Sequence, residues 1–374
     1  MGRILITALL IVTGVPTLAS AQGVVLESAG DYDALRAARA YEAERTSETI
    51  VIDGRIDEPA WDRALADDDF YQLDPVRGAP PDERTVLRIL YDDANLYIGI
   101  VCYQAGPPII AELRRDFVPF DGDLLAVSLD TFDDDRNAFI FQTNPGGAKR
   151  DQQIAGGVRS SDWNGIYHVV SHIDEGWWST EFAIPFKTLR FDEVREGQRW
   201  GMNIFRIIRY SNESVIWTPA PRPFGPADIF IYGSLVGLEG VTQGRNLYVK
   251  PFALAEFKPD ATDDRNNFDA GFDVKYGVTS ELTLDLTVNT DFSQVEVDEQ
   301  QVNLTRFSLF FPEKRDFFLE NAGLFDVGGV TGTPAGAARR DVIPFFSRRI
   351  GLSDRGSPLP IRGGRASDRK DWWV

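Results

Sequence analysis

The sequence is poor in the residues that carry most protein chemistry. Its 374 residues include a single cysteine, Cys102, and only two histidines, His168 and His172. One cysteine excludes a disulfide framework and a cysteine-rich metal site within the chain, and its place in "LYIGIVCYQ" predicts a small buried hydrophobe. On a strand the two histidines would share a face but lie about 13 Å apart, which is too far to chelate one metal ion.

Common catalytic motifs are missing as well. The sequence contains neither a G-x-S-x-G nor an H-E-x-x-H pattern, so it offers few residues for nucleophile–base catalysis or for zinc-dependent hydrolysis. A pair of carboxylates can hydrolyse a glycosidic bond, but among 57 acidic residues a pair carries no information. We therefore assign no catalytic residues and expect binding rather than catalysis.

Positive charge is scarce relative to negative charge. The formal net charge of −18 is the opposite of the clustered basic surface that nucleic acid requires, so we expect no nucleic-acid partner. The excess of acidic residues has two possible roles. These residues lie in solvated turns and keep the protein soluble, or some of them bind cations. No acidic run matches an EF-hand loop. The carboxylates that we consider as ligands of a structural Ca²⁺ are Asp121, Asp123, Asp130 and Asp133.

Long hydrophobic runs are absent too, so the sequence predicts no membrane-spanning helix. Residues 1–21 combine Arg3, the short apolar stretch "ILITALLIVTGV" and the small residues "ASA" before Gln22, which is the pattern of a signal peptide. We therefore expect the protein to be exported. Residues 22–45 are charged and rich in alanine, and we interpret them as a helical or disordered leader.

Short β-branched and aromatic runs dominate residues 46–238. Examples are "TVLRILYD", "NLYIGIVCY" and "LLAVSLDTF", each bounded by turn-forming residues. No βαβ alternation and no glycine-rich dinucleotide loop interrupts this pattern. The sequence therefore predicts an all-β fold, with an antiparallel β-sandwich as the first domain.

The pattern changes in residues 239–374, where longer amphipathic strands are predicted. In "FDAGFDVKYGVTSELTLDLTVNTDF", Phe272, Val274 and Tyr276 share a face with the apolar residues of 282–288 across a turn. Each arm is about nine residues long, which suits a tilted transmembrane strand, but half-buried strands of a soluble sheet alternate in the same way. The phenylalanine-rich stretch 301–325 fits either a loop packed on its own sheet or a plug inside a barrel.

Tryptophan is abundant, and six of the eight lie between residues 61 and 217. Indole rings fill sandwich cores, which we expect for Trp61, Trp200 and Trp217, but they also stack on the apolar faces of sugar rings. Trp163 lies in the turn-rich "SSDWNG", and Trp177 and Trp178 are adjacent, so on a strand one of the two must face outward. The candidate sugar-binding residues are Trp163, Trp177, Trp178, Asp162 and Asn164.

Several stretches of the first domain resemble carbohydrate-binding module family 9-like domains. They include "IDGRIDEPAW" (52–61), "DGDLLAVSLDTFDDDRNAFIFQTNPGGAKRD" (121–151) and "GWWSTEFAIPFKTLRF" (176–191). The stretch "DVKYGVTSELTLDLTVNTDFSQVEVDEQQVNLTRFSLFFPEKRDFFLE" (273–320) resembles the start of the outer-membrane β-barrel domain that follows such modules. Asp316 stands where that family usually has proline.

The resemblance implies a jelly-roll sandwich that binds a carbohydrate ligand, with calcium supporting the fold, at the outer membrane. It also implies that lipid is the partner of the C-terminal part. Because residues 239–374 offer too few strands to close a barrel, we expect the chain to be a fragment of a longer product. Two alternatives stay open: a glycoside hydrolase or hydrolase accessory, and a structural plug that binds no sugar. The plug predicts that all six tryptophans are buried.

Overall fold

The described part of the protein is built mainly from β-strands. The computed structural model describes residues 34, 37–155, 158–161, 163–192, 197–243, 247–256, 267–277, 282–288 and 364–369. Besides its strands, this part of the chain has a short helix, α1 (Pro59–Arg63), and 3-10 turns at Phe186–Thr188 and Ile229–Ile231. The strands are β1 (Ala40–Glu42), β2 (Glu44–Arg45), β3 (Tyr71–Asp74), β4 (Thr85–Tyr91), β5 (Asn95–Tyr103), β6 (Leu124–Asp130), β7 (Ala138–Thr143), β8 (Lys149–Ala155), β9 (Val158–Ser160), β10 (His168–Asp174), β11 (Trp177–Pro185), β12 (Gln198–Ile208), β13 (Glu213–Ile216), β14 (Gly233–Leu238), β15 (Leu247–Glu256), β16 (Asn267–Gly277), β17 (Leu282–Val288) and β18 (Gly364–Arg369).

Two sheets form the N-terminal domain. A nine-stranded sheet has the order β1-β14-β12-β6-β7-β8-β9, with β13 and β3 joined to it through β12. A five-stranded sheet has the order β10-β11-β5-β4-β2. One hydrophobic cluster takes Ile98 and Phe182 from the five-stranded sheet and Val127, Phe141 and Met202 from the nine-stranded sheet. The predicted β-sandwich is therefore confirmed, with its main core between the two sheets.

Each sheet is also covered on its outer face. Phe117, Ile229 and Ile231 pack over the outer side of the nine-stranded sheet. Trp61 of α1 and Ile50 pack over one part of the outer side of the five-stranded sheet. Trp61, Trp200 and Trp217 are fully buried, which confirms the prediction that these three indoles serve the core.

The last residues of the predicted leader belong to the sandwich. β1 pairs in parallel with β14 of the nine-stranded sheet, and β2 pairs in parallel with β4 of the five-stranded sheet. Tyr41 is fully buried between the sheets, and the N–H of Ile89 donates to its hydroxyl oxygen at 2.9 Å. The prediction of a helical or disordered leader through residue 45 is therefore wrong for residues 40–45, because backbone pairing with two sheets overrides local sequence preference.

The C-terminal strands form a separate four-stranded sheet in the order β15-β16-β17-β18. Tyr276 is the register partner of Leu284, and Phe272 is that of Val288, so the predicted hairpin and its shared apolar face are confirmed. The predicted signal peptide (1–21) and the phenylalanine-rich stretch 301–325 lie outside the described residues. The prediction that residues 239–374 begin a barrel stays a prediction.

Among the helices of the described residues, none combines the length and the apolar composition that crossing a membrane requires.

Candidate functional site

Two adjacent tryptophans face opposite sides of the five-stranded sheet. On β11, Trp178 points into the core, is fully buried, and donates its indole N–H to Gln104 Oε1 at 3.1 Å. Alternation along a strand then places Trp177 on the outer face, where its side chain is half-buried. The prediction of Trp178 as a sugar-stacking residue is corrected, because its ring is enclosed by the core and its polar atom is already bonded.

Trp177 is the middle residue of an aromatic surface. Its register partners are Tyr103 on β5 and Asp174 on β10, so the three side chains share the outer face. Tyr103 is 38 % exposed. The His172 ring lies against the Trp177 ring, with centroids 5.9 Å apart and planes inclined at 59°. Trp177, Tyr103 and His172 are called the aromatic platform below.

Charged side chains border the aromatic platform. The Arg84 guanidinium lies over the Tyr103 ring at 5.5 Å from the centroid, and Arg84 Nε donates to Asp68 at 2.7 Å. Asp174 is exposed beside Trp177. An apolar ring surface edged by hydrogen-bonding groups suits a ligand that has both apolar faces and hydroxyl groups.

A buried polar network fixes the two strands beneath the aromatic platform. The Gln104 N–H donates to the Gly176 carbonyl at 3.0 Å, which ties the end of β5 to the start of β11. The fully buried Arg206 donates to the Tyr103 carbonyl and to Gln104 Oε1, both at 2.9 Å. Gln104 Nε2 in turn donates to Asp123 Oδ2 at 3.1 Å. These bonds hold the Tyr103 and Trp177 backbones in a fixed relation.

Trp163 lies outside the aromatic platform. Its ring packs on Phe139 and Phe141, at centroid distances of 5.0 and 5.7 Å, and so covers the main core rather than the outer face of the five-stranded sheet. It is half-buried, and Asn164 beside it is exposed, whereas Asp162 lies outside the described residues. The structure therefore does not bring Trp163 and Trp177 together in one site.

The four acidic candidates do not converge either. Asp123 Oδ1 accepts the Arg209 N–H at 2.7 Å, and Asp130 accepts the N–H groups of Asp134 and Asp135 at 2.9 and 2.8 Å. Asp121 is exposed, and Asp133 lies 3.6 Å from Arg199. Within the described residues no group of three or more histidine, cysteine or acidic side chains could hold a metal ion. The prediction of one shared site for these four is corrected, and the calcium itself stays a prediction.

Burial also changes the acidity of Asp130. Desolvation raises its pKa to about 6, although three backbone N–H groups favour the charged form, and the charge of Asp134 adds to the increase. Asp130 is the last residue of β6, and its hydrogen bonds stabilise the turn that follows this strand.

Sequence reasoning missed Tyr103, although the signal was present. Cys102 was predicted to face the core, so alternation alone places Tyr103 on the outer face. Its pairing with Trp177 joins strands whose residues are far apart in sequence, and only the sheet register shows it.

Comparisons with known proteins give two separate regions of likeness. Residues 245–360 match the family described as Domain of unknown function (DUF5916). No curated protein matches the chain. Three solved structures that it matches each cover 53 % of this chain, at low identity.

One is a protein from Bacteroides uniformis ATCC 8492 assigned as carbohydrate-binding, at 15 % identity, 98 % coverage of that chain and a TM-score of 0.44. The other two are carbohydrate binding module family 9 structures from Caldicellulosiruptor kristjanssonii. The complex with glucose has 12 % identity, 95 % coverage and a TM-score of 0.40. The complex with cellotriose has 12 % identity, 93 % coverage and a TM-score of 0.37.

Proposed function

We propose that the sandwich binds carbohydrate on the aromatic platform. The observation that carries the proposal is the pairing of Trp177 with Tyr103, on neighbouring strands and on the open outer face of the five-stranded sheet. Sugar rings have apolar C–H faces that stack on such rings, and their hydroxyl groups bond to charged and polar side chains at the border. Asp174, His172 and Arg84 supply those partners.

The rigidity of the site supports the same proposal. Gln104 and Arg206 fix the backbone under both rings, so little conformational freedom is left to lose on binding. The alternative of a plug that binds no sugar predicts that all six tryptophans are buried. Trp163 and Trp177 are instead partly exposed, which favours a binding role for at least one of them.

Titration of the purified full chain tests the proposal. The probes are glucose, cellotriose and a panel of neutral oligosaccharides, followed by calorimetry. We expect saturable binding that Trp177→Ala weakens by about 30-fold or more, since a buried aromatic contact contributes about 2 kcal/mol. Phe120→Ala removes an exposed ring elsewhere and is the matched control. Binding unaffected by Trp177→Ala and Tyr103→Ala would place the sugar site elsewhere, and no binding to any probe would refute the function.

We further propose that the chain is exported and that its C-terminal sheet contacts outer-membrane lipid. Leu247, Val249 and Leu286 lie on one face of that sheet and are 63, 52 and 39 % exposed. On the opposite face Thr287 is only 2 % exposed and donates its hydroxyl to Asp273. An exposed apolar face with a buried polar face is the arrangement of strands that contact lipid.

A site-specific label tests this second proposal. Cys102 is fully buried and burial raises its thiol pKa to about 11, so a cysteine added at the surface takes the label selectively. With outer-membrane phospholipid vesicles, a solvent-sensitive fluorophore on Leu286→Cys should shift to the blue and be quenched by nitroxides on the lipid chains. The same label on Val51→Cys, an exposed position on the sandwich, is the control. A label at position 286 that stays in water would refute lipid contact.

A further inference from the structure

A tight turn borders the aromatic platform on the outer face of the five-stranded sheet. Gly54 has a φ of +87°, and a side-chain carbon at this position would come within 2.7 Å of the carbonyl carbon of Ser171. The Asp53–Gly54 turn therefore lies directly on the backbone of β10 at Ser171 and His172. Only glycine satisfies both the left-handed conformation and this close approach.

Glu181 holds the turn in place from below. Its side chain is fully buried, and Oε2 accepts the N–H groups of Asp53 at 3.0 Å and Gly54 at 2.8 Å. Oε1 accepts the indole N–H of Trp61 at 3.2 Å. The Ser179 hydroxyl donates to the Gly54 carbonyl, so β11 binds the turn at two successive outward positions.

The turn is next to the His172–Trp177 contact. His172 is the register partner of Ser179, and Val170 is that of Glu181, so the turn lies at these two rows, while Trp177 and Tyr103 lie in the following row. We propose, on the basis of the proposed function, that Glu181 is a positioning residue: by docking the Asp53–Gly54 turn against His172, it holds the imidazole against Trp177 and shapes the sugar-binding surface.

The charges around Glu181 make this docking sensitive to pH. The Trp61 indole N–H also lies 3.1 Å from Glu58 Oε2, so two carboxyl groups share one donor. Burial raises the pKa of Glu181 to about 7; the charges of Glu58 and Asp53 act in the same direction, and the two backbone N–H groups oppose it. From neighbouring strands, the charged and titratable residues on the same face are His168, His172 and Asp174 of β10, Tyr97 and Tyr103 of β5 and Arg88 of β4.

The sign of the effect follows from linkage. The docked turn binds a proton at Glu181 more tightly than a solvated, undocked carboxyl does, so docking is strongest in acid. A protonated Glu181 keeps an oxygen that accepts the N–H groups of the turn. Docking therefore weakens as the pH rises through about 7, and the undocked fraction grows by up to about tenfold per pH unit.

Hydroxyl-radical footprinting of the purified full chain tests the proposal without requiring a sugar. The readout is the rate of Trp177 modification at about pH 6 and about pH 8, on either side of the Glu181 pKa of about 7, with exposed Tyr210 as internal reference. We expect faster modification at the higher pH in the wild-type chain. Glu181→Gln, a neutral isostere, should keep Trp177 protected at both pH values, and Glu181→Ala should expose it at both.

Two further variants make the result specific. Gly54→Ala displaces the turn but leaves the Glu181 side chain in the sequence, and it should also expose Trp177. Asp92→Asn alters a carboxylate that holds a turn at the other end of the same sheet, through the N–H groups of Ala94 and Asn95, and should keep the wild-type pH response. The proposal is overturned if Glu181→Ala and Gly54→Ala fold and leave Trp177 as protected as before, or if Glu181→Gln keeps the pH response.

Cellotriose titration of the same variants separates this inference from the proposed function. Affinity that follows Trp177 protection supports both. Protection that depends on Glu181 in a chain that binds no sugar leaves the positioning role intact and refutes the function. Sugar binding that Glu181→Ala and Gly54→Ala leave unchanged refutes the positioning role and leaves the proposed function intact.

Discussion

The sandwich and the C-terminal sheet use the same alternation of side chains in opposite environments. In the five-stranded sheet, Ile98 and Ile100 face the core and the alternate residue Tyr103 faces outward. In the C-terminal sheet the apolar Val249 and Leu286 are exposed, whereas Thr287 on the other face is buried. The comparison shows that a period of two identifies the faces of a strand but not the medium that each face contacts.

The largest expected difference between the two regions is in stability. Trp178→Ala should lower the free energy of unfolding of the sandwich by about 3 to 5 kcal/mol, because it opens a cavity in the main core. Leu286→Ala in the C-terminal sheet should change the free energy of unfolding by less than about 0.5 kcal/mol, since the deleted group is on an exposed face. Urea unfolding followed by circular dichroism measures both. Similar losses for the two variants would remove the distinction between the regions.

A second, smaller effect belongs to the sandwich. Burial is the main cause that raises the pKa of Asp130 to about 6 and that of Glu181 to about 7. A raised folded-state pKa stabilises the protonated form, so this contribution is complete below about pH 4 and is lost as the pH rises through 6 and 7. The loss is up to about 3 kcal/mol per group, from shifts of roughly two pKa units.

The measurement for this second prediction is the urea midpoint as a function of pH. Asp130→Asn and Glu181→Gln should each flatten the profile between about pH 4 and about pH 7, the range of the two raised pKa values. Asp57→Asn removes an exposed carboxylate and should leave the profile unchanged. A wild-type profile that rises with pH over this range would contradict the assigned direction.

The smallest expected stability change is at the aromatic platform. Trp177→Ala should alter the free energy of unfolding by no more than about 1 kcal/mol, because Trp177 lies on the surface next to the buried Trp178. Its effect should appear in sugar affinity instead. The urea midpoints of the two neighbouring alanine variants provide the comparison, and a loss at Trp177 as large as at Trp178 would assign it to the core.

Local pattern was sufficient for much of the fold. Short strands bounded by turn residues indicated the sandwich, and the parity of Phe272 and Leu286 indicated the C-terminal hairpin. What the pattern could not supply is pairing between residues far apart in sequence. Neither the parallel pairing of β1 with β14 nor the partnership of Trp177 with Tyr103 leaves a local trace.

The candidate site was only partly predictable for a related reason. Two adjacent tryptophans must face opposite ways, and the parity that Trp178 shares with Phe182 and Ile184 places it inside. The sequence does not show that Gln104 accepts the Trp178 indole N–H within the core. Likewise, clustered aspartates in a sequence suggest cation ligands, and the backbone donors that occupy Asp123 and Asp130 appear only in three dimensions.

The N-terminal strand has a consequence for how this protein matures. β1 borders β14, the last strand of the sandwich, so the first of the described strands to be synthesised has no neighbour in its sheet until the domain is almost fully made. During synthesis the unpaired β14 edge is open to pairing with other chains until β1 docks on it. Pairing of residues 40–42 with β14 is therefore among the last contacts that this domain can form as the chain is made.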